Sequence, residues 1–189
     1  MAEAGEATGG SMAAIIGSDN ETIAKVCEEV NGFCAPANYN SPQQTVIAGE
    51  SAAIDEAVAK FAEMGKRAVK LAVSAAFHTK LMAGAAEKFK GEIAGFPFKA
   101  PNCDFYSNLY GRKLDDFSDM PSYLAAHICS PVKFVDELSA MQSAGIEAYV
   151  ELGPGKVLTG LVKKFDRSAN AMHIENAETL EKALAALKG

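Results

Sequence analysis

One histidine lies where a side chain could take up a proton. His78 follows a run in which Val69, Leu71 and Val73 alternate with small or charged residues, the pattern of a half-buried strand. Directly after it, Thr79 is a suitable N-cap for a helix. Because the positive end of a helix disfavours an imidazolium, we expect a neutral ring near neutral pH that can act as a general base. The simpler alternative is a histidine that caps or fills the loop.

A base of this kind needs a nucleophile, and the usual one is missing. No Gly-x-Ser-x-Gly elbow, the strand-to-helix turn that exposes a serine, occurs in the 189 residues. A histidine without a nucleophile cannot run covalent acyl transfer by itself. The other histidines, His127 and His173, are predicted on a helix face and in a strand or loop. Asn40 and Asn108 end extended runs, where a side chain could point into a cleft or form a turn.

A glycine-rich turn near the C-terminal end of the sequence could in principle hold phosphate. Gly153-Pro-Gly155 lies between a predicted strand and a predicted helix. It matches neither phosphate pattern, because Leu158 stands where the dinucleotide motif needs glycine and Val157 stands where a P-loop needs serine or threonine after Lys156. A tight turn between strand and helix is therefore the favoured interpretation.

Cysteine spacing and charge exclude several classes of protein. The sequence contains four cysteines, Cys27, Cys34, Cys103 and Cys129. They show neither paired spacing nor histidines at the spacing of metal ligands, so we expect no metal site and no disulfide framework. This cysteine usage predicts a reducing compartment. The net charge of −6 and the absence of a dense basic tract argue against nucleic acid as a partner. No apolar run approaches the ~20 residues that span a bilayer, so no membrane association is expected.

The first part of the chain predicts a βαββαβ order. Strands are expected at Met12–Ile16, 35–40, 45–48 and from Ala68. The first helix is predicted to begin at Ser18, with Glu21 completing a capping box, and the second at Ser51. This order is typical of the ferredoxin-like split fold.

After His78 the pattern favours helices alternating with strands. Helices are predicted from Thr79 to about 94, from Pro121, and up to Gly145, with strands at 103–107, 146–152 and 172–174. One further helix is predicted after Gly155, and a last helix contains Leu180. Strands that alternate with helices imply a parallel sheet and an α/β class for this part.

Three stretches together resemble malonyl-CoA:acyl-carrier-protein transacylases. They are Val73-Ser-Ala-Ala-Phe-His78-Thr, Asn38-Tyr-Asn-Ser-Pro-Gln-Gln-Thr-Val-Ile-Ala-Gly49 and Glu151-Leu-Gly-Pro-Gly-Lys-Val-Leu-Thr-Gly160. Met12-Ala-Ala-Ile-Ile-Gly17 and Ser130-Pro-Val-Lys-Phe134 fit the same order. The resemblance implies a partial α/β-hydrolase-like acyltransferase domain with an inserted ferredoxin-like (βαββαβ) subdomain. Residues 1–10 are then a linker, 11–75 the subdomain, and 76–189 the C-terminal part of the larger domain.

The resemblance also implies roles for individual residues. His78 is the base of a Ser-His pair that moves malonyl from coenzyme A, through an acyl-serine, to the phosphopantetheine thiol of acyl carrier protein in fatty acid biosynthesis. The backbone carbonyl at His127 orients that ring, and Asn40 matches a cleft asparagine. Phe77 resembles the malonyl-selective form, in which a bulky ring crowds an α-methyl branch, a preference of ~1 to 3 kcal/mol. No cofactor is implied, and the partners are malonyl-CoA and the carrier protein.

The chain departs from the family at its beginning. The family's glutamine-rich oxyanion segment, serine elbow and malonyl-binding arginine have no counterpart here, and Arg67, Arg112 and Arg167 do not match that arginine's position. We therefore expect no transacylase turnover from this chain alone. Two alternatives stay open: a non-catalytic module that binds a carrier protein or subunit, and a free-standing ferredoxin-like ligand-binding domain. The expected location is the cytoplasm, or the plastid stroma if the source is an alga or plant.

Overall fold

The first sheet contains four antiparallel strands. The structure, a computed structural model, describes residues 9–188. The first six elements along the chain are β1 (Gly10–Ile16), α1 (Asn20–Glu29), β2 (Cys34–Ser41), β3 (Gln44–Glu50), α2 (Ser51–Glu63) and β4 (Arg67–Lys70). The strands lie in the order β2-β3-β1-β4, and every neighbouring pair is antiparallel. The βαββαβ order predicted from the sequence is the observed order. Of the predicted linker, residues 1–8 lie outside the described residues, and Gly10 already belongs to β1.

Both faces of this sheet are buried, which explains the unbroken apolar run of β1. Ala13 and Ile15 face α1 and α2, in a core that also contains Ile47, Ile54 and Phe61. The alternate residues pack on the other face of the sheet, in a cluster of Met12, Ala14, Ala37, Val46, Ala48 and Ala76. The segment that leads to His78 therefore crosses the second face of the sheet.

A close backbone approach holds that segment in place. A Cβ atom added to Gly10 would lie 2.5 Å from the backbone nitrogen of Ala76. Because real Cβ atoms never approach so closely, only glycine lets the start of β1 pack against this loop.

The predicted capping box at Ser18 is wrong. Helix α1 has Asp19 as its N-cap, and the carboxylate of Asp19 accepts a hydrogen bond from the backbone nitrogen of Thr22 at 2.8 Å. The Ser18 hydroxyl is buried and has no hydrogen-bond partner among the described residues. The carboxylate of Asp19 satisfies an exposed backbone donor of the first turn and interacts better with the helix dipole than a serine hydroxyl would.

Two other predicted boundaries need correction. Thr79 is an N-cap, as predicted, but the turn it opens is a 3-10 turn, Lys80–Met82, and the helix α3 begins only at Ala83. The strand predicted at 103–107 is reduced to β5 (Tyr106–Ser107), which pairs with β6 (Arg112–Lys113).

Helices α3 (Ala83–Ile93) and α4 (Met120–Cys129) pack together beside His78. Their shared core contains Met82, Ala86, Ala125 and Ile128. Phe77 packs against this cluster and also against the second face of the sheet. The residue before His78 therefore joins the two parts of this unit.

The chain divides into two compact units between Glu137 and Leu138. This division lies within α5 (Phe134–Ser143), and the second unit contains β7 (Ala148–Leu152), α6 (Val157–Phe165), β8 (Asn170–Ile174) and α7 (Ala177–Lys188). Strands β7 and β8 are parallel, as predicted for this part of the chain. The domain boundary between 75 and 76 stays a prediction. Between residues 9 and 188, no helix combines the length and apolar character needed to cross a bilayer.

Candidate active site

His78 has a backbone conformation that is uncommon for residues other than glycine. Its φ is 60°, and it is the one described residue other than glycine with a positive φ. Such conformations cost free energy and concentrate at functional sites. The backbone nitrogen of His78 donates to the carbonyl of Ile128 at 3.2 Å. Helix α4 therefore holds the unusual backbone in place.

The imidazole ring is oriented by the same helix end. Nδ1 of His78 lies 3.1 Å from the backbone oxygen of His127. That oxygen belongs to the last turn of α4, where carbonyls lack partners within the helix. Because a carbonyl can only accept, the proton of the neutral ring is placed on Nδ1, and Nε2 keeps a lone pair for an incoming proton. This geometry suits a general base.

The ring is accessible rather than enclosed in the core. His78 and Phe77 are both half-buried. Together with Met12 and Asn38 they line an open cavity of about 440 Å³. A reacting group from outside the described residues could therefore reach the histidine.

The side chain of His127 takes part in a buried polar network. Its Nε2 lies 2.9 Å from the hydroxyl of Tyr123, which lies 2.8 Å from the hydroxyl of Ser107. The Ser107 oxygen also accepts from the backbone nitrogen of Tyr110 at 3.2 Å. Burial lowers the pKa of His127, and the nearby imidazole of His78 lowers it further. Both effects disfavour the protonated form of the His127 ring.

Asn40 lies apart from the cavity. It falls where the pairing of β2 with β3 shifts register, between Tyr39 and Ser41, and its side chain is half-buried. Asn38, two residues earlier in β2, is the asparagine that lines the cavity with His78. A bulge of this kind changes the direction of the side chains around it. The role predicted for Asn40 stays a prediction.

Asn108 has a structural partner rather than a place in a cleft. Its side-chain nitrogen donates to the carboxylate of Glu137, which is buried. Its backbone oxygen accepts from Lys133 at 2.8 Å. Burial raises the pKa of Glu137 to about 7. This pair joins the turn after β5 to the start of α5.

The glycine-rich turn of the second unit is filled by its own carboxylates. Glu151 accepts from the backbone nitrogens of Leu158 and Thr159 at 3.1 and 2.7 Å. Glu175 accepts from the backbone nitrogen of Gly155 at 2.9 Å. The donors that a phosphate would need are therefore already bonded. In the part of the chain that the structure describes, no cluster of three or more histidine, cysteine, aspartate or glutamate side chains could hold a metal ion.

Sequence reasoning missed four residues of this site. Asn38 shares the alternation of β2 with Asn40, and this spacing could have pointed to it. The sequence pattern places Met12 only in a strand. Tyr123 and Ser107 are separated by 16 residues, so no local pattern indicates that they meet near His127.

A family comparison covers nearly the whole chain. The model of the acyl transferase domain matches residues 3–185. A relative named malonyl CoA-acyl carrier protein transacylase from Bacillus subtilis (strain 168) is 36% identical over 192 residues, covering 100% of this chain and 61% of the relative. One of the same name from Staphylococcus aureus (strain MRSA252) is 34% identical, covering 96% of this chain and 60% of the relative. The chain thus spans about 60% of the length of these curated relatives.

Solved structures show the same likeness. The malonyl CoA-acyl carrier protein transacylase of Clostridium perfringens superposes with a TM-score of 0.93 at 32% identity, over 98% of this chain and 61% of that one. The corresponding enzyme of Streptococcus pneumoniae gives 0.92 at 38% identity, over 98% and 62%. A complex of a type II polyketide synthase acyl-carrier protein with its malonyl-transacylase gives 0.90 at 31% identity, over 97% and 62%. The resemblance found in the sequence is confirmed.

Proposed function

Because the chain belongs to the acyl transferase domain family, we propose that it is the histidine-bearing portion of a malonyl-CoA:acyl-carrier-protein transacylase. The observation that carries this proposal is the 3.1 Å contact between Nδ1 of His78 and the backbone oxygen of His127, at an open cavity. The contact supports the roles that the resemblance implies for both residues.

His78 would move protons in both halves of the reaction. Its Nε2 would take the proton of a serine hydroxyl as that oxygen attacks the thioester carbonyl of malonyl-CoA, and then return the proton to the departing coenzyme A thiolate. In the second half it would take the proton of the phosphopantetheine thiol and return it to the serine. The His127 carbonyl would hold the ring and stabilise the imidazolium that forms in each half. The serine must come from a segment that these 189 residues do not contain.

Phe77 is the proposed selectivity residue. Its ring lies beside His78 in the cavity and is fixed by packing on two sides. A ring held in this way would crowd a branched acyl group more than malonyl, which supports a preference of ~1 to 3 kcal/mol. Asn40 is the proposed cleft asparagine, and the position of Asn38 in the cavity makes it a second candidate.

We extend the proposal to the larger architecture. Residues 11–75 would be the ferredoxin-like subdomain, and residues 76–189 the C-terminal part of an α/β-hydrolase-like domain. The strand order β2-β3-β1-β4, with α1 and α2 on one face, supports the first part. The substrates would be malonyl-CoA and phosphopantetheinylated carrier protein, without a cofactor, nucleic acid or membrane. The proposed location is the cytoplasm or, for a plant or alga, the plastid stroma.

The missing elbow favours a second candidate, a non-catalytic module that binds a carrier protein or subunit. Local basic pairs such as Lys163–Lys164 could contact an acidic carrier. Binding of a carrier protein that weakens with salt, with no acyl transfer in any combination, would favour this candidate.

A hybrid enzyme tests the main proposal. The part of the Bacillus subtilis relative that this chain does not match is joined to the 189 residues, and malonyl transfer from malonyl-CoA to carrier protein is measured. We expect transfer by the hybrid, none by the chain alone, and a loss of about 10²- to 10⁴-fold in kcat for His78→Ala. His173→Ala, in the second unit, is the matched control and should retain full activity. Equal activity of the hybrid with and without His78 would overturn the proposal, as would rapid transfer by the chain alone.

A further inference from the structure

Two of the four cysteines face each other inside the core of the first unit. The sulfur of Cys27, in the last turns of α1, lies 3.4 Å from the sulfur of Cys34, the first residue of β2. We propose that this pair is an oxidation site at which a small peroxide closes an intramolecular disulfide. The inference does not depend on the proposed function, because it rests on the chemistry of the two thiols alone.

The geometry is close to what a disulfide requires. The sulfurs of a disulfide are about 2.05 Å apart, so the pair must approach by about 1.4 Å, a movement within reach of side-chain rotation. The chain already turns back between them, where Gly32 has a φ of 94°. Both side chains belong to one packed cluster, which also contains Ile23 and Val30. Ordered packing keeps the sulfurs together.

The two thiols are chemically unequal. A hydrogen bond joins the two thiols, and it lowers the pKa of Cys34 although burial opposes the shift. The same bond, together with burial, raises the pKa of Cys27. Since the thiolate is the reactive form, Cys34 is the sulfur that meets the oxidant and Cys27 is the resolving thiol.

The proposed reaction has two steps. The Cys34 thiolate attacks hydrogen peroxide, which breaks the O–O bond and leaves a sulfenic acid and hydroxide. Cys27 then gives its proton to the hydroxide and attacks the Cys34 sulfur, forming the S–S bond and releasing the sulfenic oxygen as hydroxide, which takes the proton that Cys34 had lost. The sum is two thiols and one peroxide giving a disulfide and two waters.

The other cysteines differ from this pair. Cys103 is exposed, and Cys129 is half-buried with its thiol toward the carbonyls of Ala125 and Ala126. Cys27 and Cys34 are only 5% and 8% exposed, so oxidation must wait for small openings of the core and will be slower than at Cys103. The disulfide would tie α1 to β2, the strand that brings Asn38 to the cavity.

The test uses the 189-residue chain with Cys103→Ser and Cys129→Ser, which leaves only the pair. After treatment with hydrogen peroxide, free thiols are counted in denaturant and the intact mass is measured. We expect the loss of both thiols, a mass lower by two hydrogens, no dimer, and full reversal by dithiothreitol. Closing this short loop should also raise the Tm by about 5 °C.

A second variant separates the pair from a singly reactive cysteine. Cys34→Ala, added to the same background, should keep its one remaining thiol under identical treatment, with circular dichroism confirming that it is folded. Retention of both thiols in the pair-only chain would overturn the inference. So would oxygen addition at one sulfur, disulfide-linked dimers, or equal loss of the Cys27 thiol after Cys34→Ala.

Discussion

The two compact units bury their sheets to very different extents. In the first unit both faces of the four-stranded sheet are covered, and Ile15, Ile47 and Phe61 have no exposed surface. In the second unit the parallel pair of β7 and β8 leaves Leu152 77% exposed, and Val157, at the start of α6, is 72% exposed. Parallel sheets in α/β proteins normally have both faces covered. The first unit thus satisfies its own apolar pattern, and the second presents apolar surface that its own residues do not cover.

The difference has a physical origin in how many elements each sheet contains. In the first unit, α1 and α2 lie between the strands in sequence and cover one face of a four-stranded sheet. In the second unit the sheet has two strands, and α6, which joins them, and α7 pack against it. The relatives that this chain matches are longer, since it spans about 60% of their length.

The largest expected effect comes from removing one large side chain in each unit. Phe61→Ala should lower the free energy of unfolding of the first unit by about 3–5 kcal/mol, because it empties a fully packed site. Leu152→Ala, the matched change in the second unit, should alter stability by no more than about 0.5 kcal/mol. Urea titration of both variants measures the difference. A large cost at Leu152 would show that its side chain is buried by self-association or by a neighbour.

The next effect concerns how stability depends on pH at Glu137 and Glu151, whose pKa values shift in opposite directions. Burial raises the pKa of Glu137 from 4.5 to about 7, so the folded first unit holds this proton more tightly and its stability falls as pH rises between those values. At Glu151 burial acts in the same direction, but bonds from Thr159 and Leu158 outweigh it and lower the pKa. The stability that those hydrogen bonds contribute is therefore present above pH 4.5 and is lost as the pH falls below that value.

Isosteric variants check this contrast. Glu137→Gln should remove the fall in stability with rising pH, and Glu151→Gln should remove the fall at acidic pH. Amide hydrogen exchange across the pH range measures each unit separately. An unchanged pH slope in either variant would contradict the assigned glutamate.

A smaller effect concerns a helix start in the first unit. Asp19→Ala should lower the Tm because the backbone nitrogen of Thr22 loses its acceptor. Ser18→Ala should be neutral, since the serine hydroxyl has no partner among the described residues. Thermal unfolding of the two variants compares them directly. A larger loss of stability from Ser18→Ala than from Asp19→Ala would instead support the capping box that the sequence predicted at Ser18.

The smallest effect tests the network behind the candidate base. Tyr123→Phe removes the hydroxyl that lies between His127 and Ser107, and the titration of His127 should change as a result. Nuclear magnetic resonance of the imidazole groups measures it, with His173 of the second unit as an internal reference that should not move. Tyr110→Phe, a change of the same size on a neighbouring ring, is the control. Equal shifts in both variants would contradict a specific role for Tyr123.

Much of the fold could be predicted from local patterns. The alternation in β1 and the apolar stripe of α1 fix which residues face the core, and these periodicities depend only on backbone geometry. Element ends were less certain, as Ser18 shows, because adjacent polar residues can compete for the same backbone donors. The resemblance, rather than periodicity, assigned roles to His78, Phe77, Asn40 and the His127 carbonyl.

The sequence by itself determined the order of strands and helices, the histidine after a strand and before a helix, and the family. Only the tertiary structure brought His78 to the end of α4, placed Asn38 rather than Asn40 in its cavity, and brought the sulfurs of Cys27 and Cys34 close together. Periodic patterns describe which side of an element is apolar, and this information is local. Contacts between residues far apart in sequence depend on how elements pack, and on register shifts such as the one at Asn40, which no local pattern specifies.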